Sequence, residues 1–177
     1  MEAQHIEHTL EPIFDEHSRV LVLGTMPSPK SREVGFYYGH PQNRFWRVIE
    51  ALFELPDHSL VENNARRAFL LKQHIALWDV LASCTIEGAA DASIVDAIPN
   101  DLTRIFDAAP ITHVFTTGGK ATQLCQRMDG EVLGARNIAL TGLPSTSAAN
   151  ARMRLDQLVK AYRPIAHAVT AGNCHAK

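Results

Sequence analysis

Nowhere does this sequence run for 18 consecutive apolar residues, so no segment reads as a bilayer-crossing helix. Residues 1–8 carry Glu and His where an export signal would have a basic stretch followed by an apolar run. A soluble, unexported, cytoplasmic protein is therefore expected. Cysteine is scarce: Cys84, Cys125 and Cys174 are odd in number and widely spaced. They form no CxxC pair, no Cys/His cluster and no quartet for an iron-sulfur centre, and they suit a reducing compartment. We expect no metal and no cofactor. The patterns G-x-S-x-G, G-x-G-x-x-G and the P-loop are missing, which lowers the case for an α/β hydrolase or a nucleotide-binding protein. Neither an internal repeat nor an interdomain linker is present. There is also no excess of positive charge: 17 basic against 19 acidic residues leave a net charge of -2. The molecule as a whole does not attract a polyanion. A few cations and helix N-termini gathered on one face could still hold one.

What is present is a chain of 177 residues, 46% apolar, enough for one substantial core. A single domain is expected over residues 1–177, with its core at about 18–163 and a flexible tail from about 164. Residues 19–23 form an apolar run closed by Gly24, the pattern of a strand buried on both faces of a parallel sheet. A Pro- and Gly-containing loop follows, then helical spacing over 44–55, with Asn43 suited to cap it. A further helix is expected over 62–72 and a strand over 75–81. Asn100 could cap a helix reaching about Ala108. Residues 112–117 read as a strand ending in Gly118-Gly119, with a helix over 120–128, a fourth strand over 137–141, and a last helix over 148–162 stopped by Pro164. Strands alternating with helices predict a three-layer α/β/α sandwich around a short, mainly parallel four-stranded sheet. In such sheets ligands bind beyond the carboxyl ends of the strands. The loops after Leu23, Leu81, Thr117 and Thr141 should therefore share one cleft.

Two of those loops are informative. The first runs Gly24-Thr25-Met26-Pro27-Ser28-Pro29-Lys30-Ser31 and leads to Tyr37-Tyr38-Gly39-His40-Pro41-Gln42-Asn43-Arg44-Phe45-Trp46. The second is Leu143-Pro144-Ser145-Thr146-Ser147. In order and spacing the pair resembles the active-site motifs of the uracil-DNA-glycosylase superfamily. With Ala76-Leu77-Trp78-Asp79-Val80 added, the finer resemblance is to its hypoxanthine-DNA glycosylase (DNA-deoxyinosine glycosylase) branch, over about residues 18–163. The mismatch-specific uracil glycosylases share the H-P-x-N-R-F-W block but carry a catalytic Asn where this chain has Met26. The resemblance implies a monofunctional DNA glycosylase of base-excision repair that hydrolyses the N-glycosidic bond of deoxyinosine or a related damaged base. Its partner would be DNA containing a damaged base. No membrane and no obligate protein partner are expected, and a monomer is the simplest state.

Such an enzyme must flip a nucleotide, hold it and stabilise separated charge beside a water. Asn43 has an amide able to accept a hydrogen from that water, and the resemblance assigns the catalytic Asn to this position; its alternative role is the helix cap. Thr25, Met26, Pro27, Tyr38, His40 and Asp79 are expected around the base. Tyr38 and Tyr37 could stack on it or belong to the core, while Phe45 and Trp46 recur at helical spacing and read as core. Asp79, an acceptor, would suit the N1–H of hypoxanthine, or would cap a strand or pair with an Arg. His40 could contact the purine or brace its loop. Ser28, Lys30, Ser31, Ser145, Thr146 and Ser147 are expected along the DNA backbone, the last three at the N-terminus of the final helix, where the dipole favours phosphate. Gly118-Gly119-Lys120 could offer a similar contact or simple turn chemistry. His113 reads as a satisfied core residue. Two other classes stay open: a glycosylase of broader uracil or alkylated-base specificity, and a non-catalytic module that binds damaged DNA.

Overall fold

The computed structural model describes residues 2–173. In chain order its elements are β1 (Gln4–Glu7), β2 (Val20–Gly24), α1 (Pro29–Val34), α2 (Phe45–Leu52), α3 (Asn63–Lys72), β3 (Ile75–Asp79) and β4 (Leu81–Ile86). A 3-10 turn at Asp91–Ser93 precedes β5 (Val95–Pro99), followed by α4 (Thr103–Phe106), β6 (His113–Thr117), α5 (Gly119–Ala135), β7 (Ala139–Leu143) and α6 (Leu155–Asn173).

The expected four strands form a parallel sheet in the order β3-β2-β6-β7. All five residues of β2 are buried, as an interior strand covered on both faces must be. From β2 the chain crosses to β3 on one side, then returns to β6 and β7 on the other, so the strand order reverses between β2 and β6. Right-handed crossovers in opposite directions place helices on opposite faces, which makes the α/β/α sandwich. α3 packs on β3, α5 on β6 and β7, and α6 against β2 and α2. The reversal point is where a doubly wound sheet opens a crevice at its carboxyl edge.

A second sheet, the antiparallel β1-β4-β5, departs from the expected single strand over 75–81. The chain breaks at Val80, whose N–H donates to the Gly24 carbonyl and whose own carbonyl accepts from Asn100 N–H. Asn100 therefore caps no helix. Its buried amide donates to the carbonyls of Asp79 (2.9 Å) and Leu81 (3.0 Å) and pins the bend between β3 and β4. Asp101 takes over as the acceptor for Thr103 N–H at the start of α4.

The end of the chain needs the largest correction. The last helix starts at Leu155 instead of 148, and it runs through Pro164 to Asn173 instead of stopping there. Residues 164–173 are thus helix, and only 174–177 of the expected tail lie outside the described residues. Leu158, Tyr162, Ile165 and Val169 form one buried stripe spanning the proline. Burial of Ile165 and Val169, at roughly 1.5–3 kcal/mol each, offsets a proline penalty of about 3 kcal/mol. His113 hydrogen-bonds Thr141 at 2.8 Å and stacks on Phe115.

Candidate active site

At the carboxyl edge, where β2 and β6 part, lies a cleft of about 360 Å³. Its floor and walls include Thr25, Met26, Pro27, Ser28, Tyr38, Asn43, Asp79, Ser145, Thr146 and Ser147, so loops separated by more than a hundred positions meet there. The strand-end loop is sewn to the sheet bend by Val80 N–H to the Gly24 carbonyl and Leu81 N–H to the Thr25 carbonyl. Gly24 is required by closeness: a Cβ there would lie 2.4 Å from Asp79 Oδ1 and 3.3 Å from the Tyr38 hydroxyl.

Tyr38 adopts a left-handed backbone (φ 51°) that turns its ring onto Phe45, face to face at 3.8 Å. Its hydroxyl meets Thr117 Oγ1 at 2.9 Å, and Thr117 in turn donates to the Leu23 carbonyl at the end of β2. Desolvation, helped by the Asp79 charge, raises the Tyr38 pKa, so the phenol stays neutral. Tyr37 is core: its ring is buried and its hydroxyl donates to the Glu11 carbonyl at 2.8 Å. Phe45 and Trp46 are buried too.

Asp79 is 5% exposed, and its Oδ2 pairs with Nε2 of His8 at 2.8 Å. The partner is a histidine from the N-terminal segment, not an arginine, and nothing in the sequence pattern marked it. Asp91 is a second acid that sequence reasoning missed. It comes from the 3-10 turn, lines the cleft, and its Oδ2 accepts the Thr25 hydroxyl at 3.0 Å. Desolvation, with a further contribution from Asp79, raises its pKa.

Asn43 Oδ1 accepts two hydrogen bonds, from Phe45 N–H at 2.9 Å and from the Thr146 hydroxyl at 2.8 Å. The backbone donor fixes which end of the amide is oxygen. Arg44 then binds the second loop. Its backbone N–H and Nε both donate to the Thr146 carbonyl, Nη2 donates to the carbonyls of Ser147 (2.8 Å) and Asn150 (2.9 Å), and Nη1 to that of Met153. The signal for Arg44 was its place beside Asn43 in the H-P-x-N-R-F-W block.

Several expected DNA contacts are placed otherwise. Thr146 is 1% exposed and its hydroxyl is committed to Asn43. Ser31, 2% exposed, accepts from Gly39 N–H and from the Ser28 hydroxyl, and Ser28 caps α1. Lys30 pairs with Glu33 away from the cleft, and His40 is exposed, its Nδ1 accepting from Gln42 N–H. Ser145 and Ser147 precede the start of α6 and do not sit at its N-terminus. Ser145 lies instead beside α5: Gly118, the left-handed N-cap residue of that helix (φ 105°), approaches it so closely that an added Cβ would be 3.4 Å from the serine Cβ, and Ser147 N–H donates to Ser145 Oγ at 3.2 Å. Arg32 also lines the cleft, with Nη1 donating to the Pro27 carbonyl. Among the described residues no group of three His, Cys, Asp or Glu side chains could hold a metal ion, and no helix is long and apolar enough to cross a membrane.

Residues 11–166 match the family described as the Uracil DNA glycosylase superfamily. The chain belongs to that superfamily. Two relatives from methanogens are named hypoxanthine DNA glycosylase. The Methanosarcina barkeri protein is 34% identical over 109 residues, covering 62% of this chain and 68% of its own. That of Methanosarcina acetivorans is 30% identical over 156 residues, covering 83% and 90%. A solution NMR structure described as a uracil DNA glycosylase from Methanosarcina acetivorans superposes with a TM-score of 0.74 at 26% identity, covering 93% of this chain and all of that one. This superfamily member is a DNA glycosylase, and the cleft at the β2/β6 reversal is its candidate active site.

Proposed function

We propose that this DNA glycosylase removes hypoxanthine from deoxyinosine in base-excision repair, acting as a monofunctional, cofactor-free monomer. The observation that carries the reading is the convergence of Asn43, Tyr38 and Asp79 on one cleft large enough for a purine. Two relatives named for hypoxanthine support the choice of base. Tyr38, backed by Phe45, offers a rigid ring for stacking, worth about 1–3 kcal/mol per base. A carboxylate such as Asp79 accepts the N1–H of hypoxanthine and repels the N1 lone pair of adenine. His8 holds that carboxylate by its other oxygen. Met26 has no polar group with which to handle water from the first loop, which leaves Asn43 as the amide of the cleft for the reacting atoms.

The reaction requires the C1′–N9 bond to break with its electron pair leaving on the purine, while a water oxygen bonds C1′ and releases one proton. The negative charge of carboxylates in the cleft, Asp91 beside Thr25 and Asp79 at the edge of the base, favours a cationic sugar through space. Among the described residues no lysine lines the cleft to form a Schiff base. The phosphate flanking the flipped nucleotide would meet Ser145, Ser147 and the free N–H groups at the start of α5, where the helix dipole is positive. The test is base release from otherwise identical duplexes carrying deoxyinosine, deoxyuridine or ethenoadenine, read by alkaline strand cleavage. Preferential release from deoxyinosine is expected. Faster release of uracil or ethenoadenine would transfer the assignment to the broader specificity, and binding without release from any duplex would overturn the catalytic reading.

A further inference from the structure

We propose that Asn43 meets the extruded nucleotide as a hydrogen-bond donor, through Nδ2, and that Thr146 is the positioning residue that enforces this. The proposal rests on the glycosylase reading above and replaces the water-accepting role expected of Asn43 from sequence. An amide oxygen has two lone pairs. Both are taken: Phe45 N–H approaches at 2.9 Å and the Thr146 hydroxyl at 2.8 Å. The first is a backbone donor at the start of α2 and cannot be turned away without unwinding the helix. The second belongs to Thr146, a residue 1% exposed, held in a loop whose carbonyl at the same residue is bonded by Arg44. Asn43 itself is half-buried and lines the cleft, and Nδ2 makes no hydrogen bond among the described residues.

A saturated oxygen and a free N–H pair on a side chain that lines the cleft leave Asn43 a donor and no acceptor to offer a ligand there. In the reaction, negative charge grows on the departing purine as the C1′–N9 bond breaks and both electrons leave with the ring. Ring nitrogens and O6 of hypoxanthine are acceptors that strengthen as this charge grows. A donor fixed in advance stabilises that change most in the transition state. The incoming water needs proximity to an oxocarbenium-like C1′ more than it needs a base, and its proton passes to solvent.

The two roles predict opposite behaviour for one variant, Asn43→Asp. A carboxylate keeps the oxygen that Phe45 N–H and Thr146 bond but presents an acceptor where Nδ2 stood. Single-turnover release from deoxyinosine duplex at neutral pH should fall about 100-fold or more, as far as in Asn43→Ala. The Asn43→Asp rate should rise relative to wild type as pH is lowered, because the protonated acid regains a donor. Thr146→Val, nearly isosteric, should slow release about 10-fold with an unchanged melting temperature, while Thr146→Ser restores the rate. If Asn43→Asp instead stays within about tenfold of wild type and gains with rising pH, Asn43 works as an acceptor and the inference fails alone. Wild-type protein that releases no base from any duplex would overturn the glycosylase reading and this inference together.

Discussion

Arg44, next to the cleft residue Asn43, donates more side-chain hydrogen bonds to the second loop than any other residue described above, and its removal is the sharpest test of how that loop is held. Its guanidinium donates to four main-chain carbonyls, of Thr146, Ser147, Asn150 and Met153, all within a segment that has no helix or strand of its own. Hydrogen bonds to charged groups contribute about 1.5–3 kcal/mol each in mutational series, but three considerations reduce the sum here. The four share one side chain, three of the acceptor residues (Ser147, Asn150 and Met153) are only half-buried so that water can replace part of the donor, and the Nε bond is long at 3.3 Å. We expect Arg44→Met, which keeps the buried stem, to cost about 3 kcal/mol and to lower the melting temperature by roughly 6–12 °C. Arg44→Lys should regain about 1 kcal/mol, since an ammonium cannot reach four diverging acceptors as the planar fork does. Base release should fall as well: with the loop loosened, Thr146 no longer fixes Asn43, and a loss of at least about 10-fold, that expected of Thr146→Val, follows. Thermal melting together with single-turnover base release measures both. A methionine variant that melts within 2 °C of wild type, by the same stability scale, and releases base at an undiminished rate would refute the reasoning.

Asp129 is buried with one carboxylate oxygen unpartnered, and desolvation, followed by the Asp101 charge, pushes its pKa from the ordinary 3.8 to about 6. A raised folded-state value means stability present below pH 3.8 is lost as pH rises through 6. At 1.36 kcal/mol per pH unit the ceiling is about 3 kcal/mol, and partial solvent screening brings the expectation to about 1–2 kcal/mol. Asp129→Asn should therefore match wild type near pH 4 and exceed it by that amount at pH 8 in chemical denaturation. Gly24→Ala should leave the protein folded yet displace Asp79 or Tyr38, with base release reduced at least about 10-fold; a normal rate would show that neither group needs its present position. Deleting residues 164–177 should cost up to about 3 kcal/mol, the lost burial of Ile165 and Val169 less the proline penalty that the deletion relieves, where a flexible tail would have cost nothing.

The parallel sheet was legible because β2 and β3 are continuous apolar runs buried on both faces and β6 is rich in β-branched and aromatic residues closed by Gly118, whereas the edge strand β7, only partly buried, was placed two residues early. The antiparallel sheet was not. β5 is almost wholly exposed, with Val95 and Ile98 on an edge, so no alternation marks it, and β4 follows β3 after one residue. The end of α6 was misread for a different reason: Pro164 is a strong local signal, but the stripe of Leu158, Tyr162, Ile165 and Val169 is a stronger global one. Within the cleft the motif residues came together, since strand-end loops of a doubly wound sheet must converge. Which atom of each residue faces inward was beyond reach. Ser31 and Thr146 look like exposed hydroxyls in a list of residues, yet each is buried and spent on another loop. His8 and Asp91 enter from segments whose only link to the cleft is through space.

The hydroxyl and guanidinium bonds share a logic that explains why so irregular a set of loops can hold reacting groups still. A loop exposes main-chain carbonyls that no ladder satisfies. Here long side chains from helices and loops supply the donors: Arg32 for Pro27, Tyr37 for Glu11, Tyr162 for Pro144, and Arg44 for the segment after Ser145. Each donor is anchored elsewhere by packing, so the loop inherits the rigidity of the core without adopting its secondary structure. Preorganised dipoles of this kind stabilise separated charge with little reorganisation, which is the chief demand of a reaction whose bond cleavage leaves a cation and a departing base. It follows that substitutions at these carbonyl-binding side chains should lower the rate of base release more than the affinity for DNA, because the phosphate contacts proposed around Ser145 and α5 would tolerate small displacements and the donor proposed at Asn43 would not.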